Sequence, residues 1–249
     1  MSTIPLFFLL SYLLSFYLFK IRTRPYVYAL AGGAAAHMAM MAGGNASSLP
    51  KALAVAWPVD LMPLFIYAVA VTSAAYLAFL KVGTSITPGG ALALGLGLYN
   101  YPFGLAVASA VYSLPRYADL APSLLAAGVS SLAVVEVFIL KAVASSTRSS
   151  TRLWPLPVAA LPAGYFSYFA MPPLAIDIFP RVVAATFYAG AAALIVYAMF
   201  RNNVVAASLM GGLGSYKFWA ALFGGVMIYA VPEVLIHMYH PEMHTYLHL

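Results

Sequence analysis

Five histidines and a set of methionines are the first residues whose chemistry can be read from their spacing. His37 sits in His-Met-Ala-Met-Met. His237, His240, His244 and His248 fall within the last thirteen residues. Seven of the eleven methionines, among them Met38, Met41 and Met238, are expected on the same face as these histidines. Imidazole with thioether is a ligand set for copper, and thioether selects Cu(I). Glu233 and His237 are four residues apart, hence on one helical face. With His37, His240 and Met41 they form a candidate outer-face metal site. Methionine as apolar filler and a solvated histidine-rich tail are the plain alternative. One haem b between His37 and His237 is a weaker reading, and a two-haem wire would need a second pair at inner depth, where no histidine is expected.

The six acids come next. Glu136, in Val-Val-Glu-Val-Phe, is set deep in an apolar run. A bare charge there is expensive, so its carboxyl must be protonated or paired. It reads either as a proton or cation relay or as a structural acid. The structural forms are a hydrogen bond to a neighbouring helix and a salt bridge to Lys141 or Lys217. Asp60 and Asp177 each stand three residues before a proline, which fits helix capping; the alternative is a symmetric pair at an outer vestibule. Tyr99, Asn100 and Tyr101 precede Pro102 and are expected to interrupt one span, with Ser215 and Tyr216 at the corresponding place in another. Such interruptions point to a transporter binding site and equally to kinks and an interfacial aromatic belt. Asp60, Asp177, Tyr99, Asn100 and Tyr216 are therefore the candidate substrate-binding residues. No hydrolase elbow, metalloprotease, Walker or Rossmann motif is present, and Asn45-Ala-Ser47 is a weak glycosylation sequon.

The elements that must position these residues follow from composition. The chain has 249 residues, of which 64% are hydrophobic and 7% charged. A soluble domain carries about 25% charged residues, so an ordinary soluble enzyme and a disordered tail are excluded. The absence of cysteine excludes disulfides, thiolate metal sites, Fe–S clusters and c-type haem. Glutamine is also absent, which points weakly to a thermophile. The net charge of +6 comes from dispersed single residues, which suits loop signals in a membrane protein and not a nucleic-acid surface.

Eight apolar stretches approach the roughly 20 residues that a bilayer core requires: 4–19, 25–43, 58–80, 89–114, 121–143, 154–172, 182–200 and 216–238. The sixth is the least secure, because Pro155, Pro157, Pro162, Pro172 and Pro173 shorten or kink it. The first is not a cleavable signal, since Lys20, Arg22 and Arg24 follow it. Placing both termini outside leaves nine basic residues in inner loops against three in outer loops, the bias expected of a cell-membrane protein.

An internal repeat is also visible. Asp60 to Pro63 matches Asp177 to Pro180, Gly97 to Tyr99 matches Gly214 to Tyr216, and Tyr112 and Pro115 match Tyr229 and Pro232, all at an offset of 117 residues. The offset spans four helices, so the halves would be parallel repeats about an axis along the membrane normal. The expected fold is thus all-α: a polytopic membrane protein of about eight helices, with one four-helix repeat in 1–120 and a second in 121–249. The expected function is a transporter or channel for a small substrate, with Glu136 as relay and copper as the candidate ion. The alternatives are a quinone-facing anchor subunit of a redox complex and a structural component of a secretion, pilus or DNA-uptake apparatus. The partners implied are the lipid bilayer, further copies of the chain, or other membrane subunits.

Overall fold

A computed structural model describes residues 3–18, 20, 23–46, 87–113, 120–149, 152–170 and 179–239, with side chains for all except 113, 120, 121, 179–182 and 232–239. The described residues are helical: α1 (Ile4–Leu18), α2 (Pro25–Ala46), α3 (Pro88–Ser113), α4 (Leu120–Ser146), α5 (Leu156–Phe169), α6 (Phe179–Leu209) and α7 (Tyr216–Tyr239). Helices satisfy their own backbone groups, which is what long apolar segments need away from water. Three of them, over Pro88–Tyr112, Pro122–Ser146 and Val183–Leu209, are long and apolar enough to cross a bilayer. The apolar stretch 58–80 lies outside the described residues.

The periphery is far more apolar than that of a water-soluble bundle. On α1 the buried stripe is Ile4, Phe8, Ser11 and Ser15, while Leu6, Leu9, Leu10, Leu13 and Leu14 face outward. Phe166, Phe200, Trp219, Phe223 and Ile228 are likewise exposed on other helices. An apolar periphery on this scale belongs against lipid or a partner, not water. The interior is built from small residues. On α2 the buried set includes Ala31, Gly32, Gly33, Ala34, Ala35, Ala39 and Ala42, which lets backbones approach closely.

Two helix pairs exploit this. In α2 and α7 a Cβ at Gly33 would fall on the Leu222 carbonyl, and a Cβ at Gly225 on the Leu30 carbonyl. In α3 and α5 the same holds for Gly104 on Leu161 and Gly164 on Tyr101. Each pair runs parallel. Gly97 lies beside Leu156 and Tyr112 beside Tyr168; Ala29 packs with Phe218, and His37 with Tyr229. Helix α6 packs on α2 and α3, and α4 touches α1, α2, α3, α5 and α6, so α4 is central.

Two local features depart from the sequence expectations and a third agrees with them. Helix α3 runs unbroken through Pro102; the proline withholds one backbone donor from the turn before it, and flanking helices hold the turn in place. Helix α5 has only 14 residues, in keeping with the proline-rich sixth stretch. Helix α6 does not stop at the polar triplet Arg201-Asn202-Asn203 but continues to Leu209. Asn202 is buried, and its amide is fully used. It accepts from Ser146 Oγ at 2.6 Å and donates to the Tyr28 carbonyl at 2.8 Å and to Asn203 Oδ1 at 3.2 Å. The triplet is thus compatible with a helix because one member ties α6 to α4 and α2. Asn202→Ala should cost about 1–3 kcal/mol by leaving buried groups unpaired. Intrinsic-fluorescence melting in detergent checks this, and an unchanged midpoint would remove Asn202 from the list of packing determinants.

Candidate functional site

The glycine-locked pairs bring three polar side chains to the middle of the bundle, where a fourth, from α4, meets them. His37 lies one turn after Gly33 on α2, and Tyr229 one turn after Gly225 on α7. Asn100 lies one turn before Gly104, midway along α3. Glu136 comes from the central helix α4. Close backbone crossings therefore fix the depth and direction from which each side chain reaches the centre.

Glu136 is completely buried, at 0% exposure, with Asn100 at 1% and Tyr229 at 2%. The Tyr229 hydroxyl donates to Glu136 Oε1 at 2.7 Å. The Asn100 amide donates to Glu136 Oε2 and, at 3.0 Å, to the Pro157 carbonyl at the start of α5. The carboxyl thus joins the α3–α5 pair to the α2–α7 pair. Its partners are neutral donors, not Lys141 or Lys217. Asn100 Oδ1 is buried without a hydrogen-bond partner. The half-buried His37 ring lies against Tyr229, with centroids 5.9 Å apart and planes inclined by 52°.

The other expected site residues are dispersed. Tyr99 is buried at 2% exposure and packs edge-on against Phe103 and Tyr188, 5.1 and 5.7 Å between centroids. Tyr216, 117 residues further on, opens α7 at 76% exposure, so the two lie in unlike surroundings. Met41 is half-buried against the core, one turn beyond His37. Asp60, Asp177 and His240 lie outside the described residues. Glu233 and His237 fall in the final turns of α7, where side chains are not described. Among the described residues no three His, Cys, Asp or Glu side chains gather as a metal site. A groove of about 320 Å³ between α3, α5 and α6 is lined by apolar residues such as Leu94, Leu98, Ala163 and Phe187, and none of the central polar cluster lines it.

Tyr229 is the member that sequence reasoning did not single out; it entered only as a repeat marker. The signal available was its place one turn after a glycine, a spacing shared with Gly33 and His37. No family model matches the chain, and no curated protein or solved structure matches it either.

Proposed function

We propose that this chain is a multi-pass membrane transporter or channel for a small cation, with Glu136 as the group that relays charge through its centre. The observation that carries this is the position of Glu136: a fully buried carboxyl at mid-bundle, held by side chains from two other helices. An ionisable group inside a membrane is costly to keep, and such groups mark ion pathways and relays. The apolar periphery supports the membrane setting. The eight-span arrangement in two parallel repeats, with both termini outside, belongs to this reading; its support is the apolar pattern, the basic-residue bias and the 117-residue offset. Copper remains the candidate cargo, supported by His37 and Met41 being one turn apart on α2.

The test is flux in sealed phosphatidylcholine/phosphatidylglycerol vesicles holding the full chain. A potassium gradient with valinomycin sets the potential, and entrapped dyes report protons and Cu(I). Wild-type protein should pass one of these above empty vesicles. Glu136→Gln preserves shape and hydrogen-bonding capacity but cannot carry a proton or a charge, so flux should fall by about 100-fold, within the range ascribed to a positioned proton-transfer group. Wild-type flux in Glu136→Gln would return Glu136 to a structural role.

A further inference from the structure

We infer that protons reach Glu136 at Oε1 through the Tyr229 hydroxyl. The inference rests on the transport reading and names its ion and point of entry. The two carboxyl oxygens are held by unlike partners. Oε2 faces the Asn100 NH₂ group, which only donates and whose two hydrogens go to Oε2 and the Pro157 carbonyl. A proton placed on Oε2 toward Asn100 would meet one of those hydrogens. Turning the amide over is no escape, because Asn100 Oδ1 would then face the Pro157 carbonyl oxygen. The backbone at the start of α5 therefore fixes Asn100 as a donor.

Oε1 faces a hydroxyl, which donates or accepts by rotating its hydrogen. It can receive a proton without disturbing its neighbour. The step is a relay. A proton bonds to Tyr229 Oη, the tyrosine's original O–H bond breaks, and that proton forms an O–H bond at Glu136 Oε1. Tyrosine ends unchanged and the carboxyl gains one proton, supplied by hydronium. Such a shift needs the 2.7 Å separation already present.

At the carboxyl itself the surroundings favour a proton over a hard metal cation. Both carboxyl oxygens are covered by hydrogen-bond donors, whereas hard cations need several oxygen lone pairs directed at them. Among the described helices, titratable groups near the carboxyl are few. Helices α1, α3 and α5 carry no Asp, Glu, Lys, Arg or His, α2 carries only His37, and α6 only Arg181 and Arg201. Helix α4 adds Lys141, five residues from Glu136 and on another face. Helix α7 adds Lys217 at its start, and Glu233 and His237 one and two turns beyond Tyr229 by register. Tyr229 is the phenol that contacts the carboxyl. The half-buried His37 ring lies against Tyr229.

The experiment pairs two readouts on the full chain in lipid vesicles. Acid-minus-neutral infrared difference spectra should show a carboxylic C=O band that is absent in Glu136→Gln and moves to higher frequency in Tyr229→Phe, where the hydroxyl is lost. Valinomycin-driven proton entry should fall by about 10-fold or more in Tyr229→Phe, whereas Tyr112→Phe, an exposed tyrosine at the far end of α3, should keep the wild-type rate. A Tyr229→Phe protein with an unshifted band, or one conducting at the wild-type rate, overturns the inference. If wild-type vesicles pass neither protons nor Cu(I), the transport reading fails by itself, and the band position in Tyr229→Phe still decides whether Tyr229 governs Oε1.

Discussion

Alanine at Gly104 should separate α3 from α5 and destabilise the protein by about 3 kcal/mol, at the upper end of the usual cost of overpacking. The added Cβ would fall on the Leu161 carbonyl and lie 2.8 Å from the Tyr165 amide nitrogen and 3.0 Å from Gly164 Cα. All three atoms are backbone, so no side-chain rotation relieves the clash and one whole helix must move. The consequence reaches the centre, because the same helix pair aligns Asn100 with the Pro157 carbonyl. Gly128 on α4 provides the contrast. Nothing lies within 4 Å of a Cβ there, so Gly128→Ala should be neutral or stabilise by about 0.5–1 kcal/mol through the helix preference for alanine. Denaturation in mixed micelles, followed by tryptophan fluorescence and circular dichroism, measures both. Equal midpoints for Gly104→Ala and wild type would mean that the α3–α5 crossing is looser than described.

The second large effect is expected at Asn100. Its truncation to alanine takes a donor from Glu136 Oε2 and another from the Pro157 carbonyl, both in the interior. Each stranded acceptor costs about 1–3 kcal/mol, so a combined loss of about 3 kcal/mol is expected, reduced by the release of the unpartnered Asn100 Oδ1. The diagnostic is a double-mutant cycle with Glu136→Ala. Side chains in direct contact show coupling of about 0.5–3 kcal/mol, so the double variant should be less damaged than the sum of the singles. Strict additivity would show that the Asn100–Glu136 contact contributes nothing.

The helices that the chain can form were legible in the sequence. Stretches such as 25–43 and 121–143 coincide closely with α2 and α4, because apolar length is a local property. Glu136 stood out for the same reason: a carboxyl inside such a stretch is conspicuous without knowledge of its neighbours. Its partners were not visible, since Asn100 and Tyr229 are 36 and 93 residues away. Asn100 entered as part of an expected interruption that α3 does not have. Tyr229 was one of 18 tyrosines. The extension of α6 past Arg201 was hidden similarly, because whether Asn202 ends a helix depends on Ser146 and Tyr28 being there to pair with it.

By itself the sequence determined an all-helical chain with spans able to cross a bilayer, few charges and one acid deep within them, because hydropathy and segment length act along the chain. The tertiary structure decided which faces turn inward. On α1 it buried Ser11 and Ser15 and left leucines outside, a choice that hydropathy cannot make when the surroundings are as apolar as the side chains. It also decided that Glu136 meets Tyr229 and Asn100 instead of a lysine. The reason is geometric: reciprocal contacts at Gly33 and Gly225, and at Gly104 and Gly164, set the helix registers, and those registers exist only once two distant segments have met.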